Sequence, residues 1–166
     1  MSKRKKITEL LSNMVMLQLR DPQDYWASEV TFDWGMPTMT RVDFMRFEPV
    51  NNRQSGLEKG IFYCFEIKSS LADYRSKNGH NFFGEKNYYI MPMEVYVKLK
   101  GEFPHDIGVY CPVPKGKDKC DEVIEPTDIM TLTLDNATLM CMKPAHLKTR
   151  DKSNLECLFN MFRSGL

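Results

Sequence analysis

Phe62-Tyr63-Cys64-Phe65-Glu66-Ile67-Lys68, with Arg41-Val42-Asp43-Phe44 upstream of it, is the stretch on which the reading of this chain turns. An aromatic, apolar run of this kind predicts a buried strand, and charges rarely sit inside one without a partner or a task. Strand alternation sends Glu66 and Lys68 to one face and Ile67 to the other. Asp43 lies in a second strand-like run, Val42-Asp43-Phe44-Met45-Arg46-Phe47. If the two strands are neighbours, two carboxylates and an ammonium converge at one edge of a sheet.

Those residue types have a chemistry in common. Mg²⁺ takes hard oxygen ligands, usually one or two carboxylates completed by waters and phosphate oxygens. A bound ion of this kind lowers the pKa of water and offsets the charge that builds on a phosphoryl group under attack. A lysine two residues beyond the ligating glutamate can orient that water, and two adjacent carboxylates favour its charged form. The same three residues also read as a salt-bridge cluster closing the end of a sheet, because a D…ExK spacing is short and common.

Asp43…Glu66-Ile67-Lys68 resembles the D…(D/E)-x-K signature of the PD-(D/E)xK nuclease superfamily. Trp26-Ala27-Ser28-Glu29-Val30, Arg41-Val42-Asp43-Phe44-Met45, Glu58-Lys59-Gly60-Ile61-Phe62 and Glu66-Ile67-Lys68-Ser69-Ser70 are similar to successive blocks of one group within it. That group is the MmcB-like nuclease-fold proteins of phages and prophages of Gram-positive bacteria. Asn81 through Tyr88, Gly108 through Pro112 and Leu158 through Gly165 continue the similarity, while residues 113–150 resemble no segment of it. Val42 stands where the signature has proline.

The resemblance implies a restriction-endonuclease-like α/β core and Mg²⁺- or Mn²⁺-dependent hydrolysis of DNA. It implies that Asp43, Glu66 and the Ile67 carbonyl hold the metal, that Lys68 orients or activates water, and that Glu29 assists from the side. Phage replication, recombination or repair is the implied setting. The alternative is a catalytically inactive module of the same fold that binds nucleic acid or a host protein, because a fold does not fix its function.

Composition is compatible with these readings and selects none. The chain has 166 residues, 42% of them hydrophobic, enough for one domain with a substantial core. Its formal net charge of +1 gives no global basic field. Positive charge is local: Lys3-Arg4-Lys5-Lys6 after Ser2, and Lys115, Lys117 and Lys119 in one loop. The first group reads as a solvated arm able to track a phosphate backbone. No stretch reaches the length of a membrane span, and the N-terminus lacks a signal-peptide core, so a cytoplasmic setting is expected. Five cysteines without C-x-x-C spacing fit a reducing compartment. Zinc ligation by Cys111, Cys120, Cys141 and His146 is disfavoured by their irregular spacing.

The periodicities predict a helix over about 6–20 and strands over 30–34, 40–48 and 60–68, the three forming an antiparallel meander. A helix capped by Ser69-Ser70 follows, then a strand at 87–91, a helix from Pro92 to about Leu99, and a strand over 106–111 parallel to its predecessor. The order α-β-β-β-α-β-α-β is completed by a charged loop, a hairpin about Asp135-Asn136 and a helix over 155–162 capped by Ser153-Asn154.

Several residues carry two readings. Glu29 is a metal ligand on the resemblance and an exposed strand-start carboxylate otherwise, with Glu9 as its rival. Ser69, Ser70 and Asp73 suit both helix capping and contact with a phosphate. Arg75, Lys77 and Lys86 are expected to neutralise nucleic-acid phosphates, or else to serve solubility. His80 reads as a base, a DNA contact or a solvated loop residue. Of Tyr88 and Tyr89, alternation sends one into the core and leaves the other for stacking.

Overall fold

A computed structural model describes residues 2–117 and 126–164. Its centre is a six-stranded mixed sheet in the order β1 (Tyr25–Phe32), β2 (Thr40–Glu48), β3 (Ile61–Ile67), β4 (Lys86–Ile90), β5 (Ile107–Pro114) and β6 (Ala137–Lys143). The expected meander is present: β1, β2 and β3 pair antiparallel. β3, β4 and β5 then run parallel, joined through the short helices α3 (Leu71–Arg75) and α4 (Met93–Lys98). A parallel pair needs such a crossover, since a tight turn would reverse the chain. β6 closes the far edge antiparallel to β5.

Adjacent strand residues alternate between two cores. Phe65 and Tyr88 face α1 (Lys3–Gln18), which buries Ile7, Leu11, Met14 and Val15 against them. Cys64 faces the opposite side, where α5 (Asn154–Ser164) packs Cys157 and Met161 onto β1, β2 and β3. α4 covers the β4–β5 half of that side with Met93, Val95 and Leu99. Tyr88 and Tyr89 are therefore both buried, one per face, and neither is available for stacking. A sheet covered on both faces has continuous apolar strands, so alternation alone does not mark an exposed side.

Several boundaries differ from the sequence reading. β1 begins at Tyr25 and ends at Phe32, because Asp33 takes a left-handed backbone (φ 53°) and turns the chain, leaving Trp34 exposed. A one-turn helix, α2 (Gln54–Leu57), lies within the loop expected between β2 and β3. The basic N-terminal arm is not free: Ser2 accepts from the Lys5 N–H and caps α1, whose first turn holds all four cations. They oppose the positive end of the helix dipole.

The hairpin about Asp135-Asn136 is absent. Asp128 caps a 3₁₀ turn over Ile129–Thr131, burying Ile129 and Leu132 beneath α1, and β6 pairs with β5. The Thr-Leu-Thr-Leu alternation was overridden by this packing. Lys119 and Cys120 lie outside the described residues.

Candidate functional site

The sheet registers place three carboxylates in one row. Ser28 pairs with Phe44 and Phe44 with Phe65, so Glu29, Asp43 and Glu66 stand next along their strands. The β1–β2 ladder resumes at Val30–Val42, passing over Glu29. Glu29 itself has a left-handed backbone (φ 56°), an uncommon conformation for a residue with a Cβ. Its side chain, more than half exposed, forms an ion pair with Arg41.

Asp43 is anchored from the neighbouring strand: the Ile67 N–H donates to its Oδ2 at 2.8 Å. Burial raises its pKa and the Glu29 charge adds to the rise, against the Ile67 N–H, Arg41 and Lys68. Glu66 is 1% exposed, and its Oε1 has no hydrogen-bond partner. Burial, then the Asp43 charge, pushes its pKa up to about 9, against the opposing pull of Lys68, the Asn81 N–H and Arg41. A buried acceptor without a donor is costly, and each such atom needs an explanation.

Lys68 is 2% exposed and its Nζ donates to the Asn78 carbonyl at 2.7 Å. Burial pulls its pKa below the usual lysine value, outweighing the carboxylates of Glu66, Asp73 and Asp43. The carboxylates of Asp43 and Glu66 were expected to keep the ammonium charged; desolvation is the stronger influence here. Gly79 seals this group. At φ 67° it is in the region that favours glycine, and a Cβ there would lie 2.7 Å from Lys68 Nζ and 2.9 Å from Glu66 Oε2.

These residues open into a cleft of about 620 Å³ at the end of the sheet, walled by α1 and by the loop after α3. Arg4, Thr8 and Ser12 line it from α1, a polar stripe at four-residue spacing. Glu9 is exposed and does not line the cleft, which removes it as a rival ligand. Arg4 reaches Asp73 Oδ1 at 2.9 Å, while the other carboxylate oxygen of Asp73 accepts from the N–H and hydroxyl of Ser69, both at 3.0 Å. Ser70 caps α3 by accepting from the Asp73 N–H. Both serines are thus committed to building the turn after Lys68.

Of Arg75, Lys77 and Lys86, Lys77 lines the cleft and the other two do not. Arg75 is exposed and points toward Glu102 at 3.8 Å. Lys86 begins β4 opposite Tyr63, at the other end of the strand from Ile67 and Ile90, and sits over the Tyr63 ring. Parallel pairing of β3 and β4 is the reason: a residue that starts β4 lies far from one that ends β3. Lys115 and Lys117 are exposed beyond β5. Arg41 is a cleft cation that the sequence reading did not assign, and Arg4 was expected only as one of four cations in an arm able to track a phosphate backbone. Arg41 was findable, two residues from Asp43; Arg4 was not, because it was read as part of an arm.

His80 is neither a base in the cleft nor merely solvated. Its Nε2 donates to the Tyr74 and Ser76 carbonyls at 2.8 and 2.9 Å, and its Nδ1 lies 2.6 Å from the Tyr89 hydroxyl. It ties α3 to β4.

Asp43 and Glu66 are the residues that could hold a cation, with the Glu66 Oε1 as the atom lacking a donor. Among the described residues no three His, Cys, Asp or Glu side chains are grouped to hold a metal ion. Two carboxylates completed by water and phosphate oxygens suffice for Mg²⁺, whereas zinc sites take three or four protein ligands.

No family model matches the chain, and no curated protein matches it. Among solved structures it is similar to SPO1766, a protein of unknown function from Silicibacter pomeroyi, with a TM-score of 0.54 and 16% identity over 94% of this chain and 83% of the other. That likeness is one of fold: an α/β architecture with helices flanking a mixed sheet. Among the described residues no helix is long and apolar enough to cross a membrane.

Proposed function

We propose that the chain is a Mg²⁺- or Mn²⁺-dependent nuclease of the PD-(D/E)xK type, with a restriction-endonuclease-like core, that hydrolyses DNA phosphodiester bonds. The observation that carries this reading is the Glu66 Oε1, a buried carboxylate oxygen with no donor, in the same row as Asp43 and flanked by Lys68. Asp43, Glu66 and the Ile67 carbonyl would hold the ion, with Glu29 beside them. The ion supplies, when bound, Lewis-acid polarisation of phosphate oxygens and a lowered pKa for water.

The remaining work falls to the chain's own residues. The Asn78 carbonyl holds the Lys68 Nζ, and Gly79 leaves it room beside Glu66. From there the amine can orient water and offset negative charge as it develops. The Ile67 N–H keeps Asp43 from swinging away. Arg41 and Lys77, which line the cleft, would receive phosphate oxygens on its walls. The setting we propose is phage or prophage replication, recombination or repair in a bacterial cytoplasm.

The test is cleavage of plasmid, single-stranded DNA and RNA in Mg²⁺ and in Mn²⁺ against a chelator control, with calorimetry of the metal. Metal-dependent DNA cleavage lost in Asp43→Ala is the expected result. Absence of cleavage with either ion rejects the enzyme reading.

A further inference from the structure

Beside the cleft lies a surface that the proposed chemistry does not use. The turn between β1 and β2 exposes Trp34, Met36 and Met39, and α5 exposes Phe159 and Phe162. Trp34 is 66% exposed, Phe159 56% and Phe162 72%, so these rings are not core residues that protrude slightly. Phe159 and Phe162 are three apart and share a helix face, opposite the Cys157 and Met161 that α5 buries. The Arg163 guanidinium lies over both the Trp34 and the Phe159 rings, at 5.7 and 5.5 Å from their centroids. A cation interleaved with exposed aromatic faces differs from a plain apolar patch.

Its position relative to the cleft is fixed by the fold. The Thr31 N–H donates to the Ser164 hydroxyl, which pins the C-terminal end of α5 to the end of β1. The turn that follows β1 carries Trp34 and leads through Met39 and Thr40 into Arg41. Met39, Thr40 and Arg41 line the cleft itself. Aromatic surface and carboxylate site are therefore continuous along one turn of chain.

We propose that Trp34, Phe159 and Phe162, with Arg163 over the first two rings, form a stacking platform for unpaired bases of the nucleic-acid strand whose phosphate occupies the cleft. The proposal deepens the nuclease reading and rests on it for the strand's identity. Flat rings exposed on a surface can stack only on bases whose faces are accessible, and in an intact duplex those faces are covered by neighbouring pairs. A basic groove joined to aromatic platforms is the way single strands are held without regard to sequence. The substrate class is thus single-stranded nucleic acid, or a duplex end or junction with an unpaired tail, rather than continuous duplex.

The experiment uses the full chain in a chelating buffer, where nothing is cut, with a fluorescently labelled single-stranded deoxyoligonucleotide and its blunt duplex. Wild-type protein should bind the single strand more tightly and show quenching of Trp34, since Trp26 is stacked on Phe65 and buried at its indole nitrogen. Each ring removed, in Trp34→Ala, Phe159→Ala and Phe162→Ala, should weaken single-strand binding roughly five- to 150-fold and leave duplex binding unchanged. Arg163→Glu, which keeps every ring, should also weaken it. Unaltered single-strand affinity in the three alanine variants and in Arg163→Glu overturns the proposal. So does a wild-type dimer by light scattering that these variants convert to monomer with unchanged binding, because the surface would then be a contact between copies of this chain. Ring-dependent binding by a protein that cuts nothing would reject the nuclease reading and keep the platform; cleavage without ring dependence would do the reverse.

Discussion

The Asp43 carboxylate accepts the Ile67 N–H at 2.8 Å, so the last residue of β3 is held to β2 by a side chain where a ladder bond would otherwise be expected. A hydrogen bond to a charged group contributes about 1.5–3 kcal/mol. The same carboxylate is crowded by Glu29 and adds to the rise in the pKa of Glu66. Asp43 is thus attached through one contact and repelled through others.

Asp43→Asn and Asp43→Ala should separate those effects. Asparagine keeps an oxygen for the Ile67 N–H and removes the charge, so its stability should equal or exceed that of wild type. Alanine should cost about 1.5–3 kcal/mol by denaturant unfolding. Both should lose metal affinity and cleavage on the proposed reading. An asparagine variant as unstable as the alanine variant would show that the charge, not the hydrogen bond, holds the strand end.

Lys68→Met should leave metal affinity within a few-fold of wild type and reduce cleavage at least 100-fold, the scale on which a positioned acid, base or charge stabiliser acts. Its stability should not fall steeply, since burial already disfavours the ammonium. Calorimetry showing loss of metal binding equal to that of Asp43→Ala would make Lys68 a structural residue.

Gly79→Ala isolates the packing of the site. Its Cβ would meet Lys68 Nζ and Glu66 Oε2, whereas a Cβ at Gly35, also at positive φ, meets nothing within 4 Å. Both substitutions carry the backbone cost of about 1 kcal/mol or more. Only Gly79→Ala should abolish cleavage, because only it displaces the lysine. Equal activity in the two variants would mean that the Lys68–Glu66 spacing is not critical.

The strands β2 to β5 and their order were legible because each is an apolar run of strand length separated by turn residues. The sharing of the site by Asp43, Glu66 and Lys68 was legible because it needs only alternation and adjacency of two strands. What was not legible depended on contacts distant in sequence. Arg4 and Asp73 are 69 residues apart, and nothing local in Lys3-Arg4-Lys5-Lys6 indicates that one member turns into the cleft. Lys86 looked near the site because it is near in sequence, but strand direction sends it to the opposite end. Thr131-Leu132-Thr133-Leu134 alternates as a strand does, and only the position of α1 makes it a packed turn.

Glu66 gives the stability a pH dependence. Its folded pKa, near 9, lies above the ordinary 4.5, so the folded state binds the proton more tightly than the unfolded chain. Its contribution is complete below about pH 4.5, declines as pH rises, and is lost by about pH 9. At pH 7 the interval of about 2.5 pH units above the ordinary value corresponds to a cost on the order of 3 kcal/mol. Glu66→Gln should remove that slope and raise Tm at pH 7–8 by roughly 6–12 °C. Parallel stability curves for the two proteins between pH 5 and 9 would show that Glu66 is ionised throughout.

Salt dependence should follow the cations of the cleft and not those of the helix after Lys68. Each phosphate neutralised on a single strand contributes a slope of about −0.7 in log K against log salt, and on duplex about −0.9. Arg41 and Lys77 line the cleft, whereas Arg75 faces Glu102 and Lys86 covers Tyr63 at the other end of the sheet. Arg41→Gln with Lys77→Ala should therefore flatten the slope by about two phosphate contacts. Arg75→Ala with Lys86→Ala should leave it as it is. The Arg41 change also frees Glu29, whose carboxylate would then repel the backbone; adding Glu29→Gln should recover affinity without restoring the slope. If the second pair of substitutions proves the more damaging, the strand runs along α3 and the outer sheet, and the cleft is not its path.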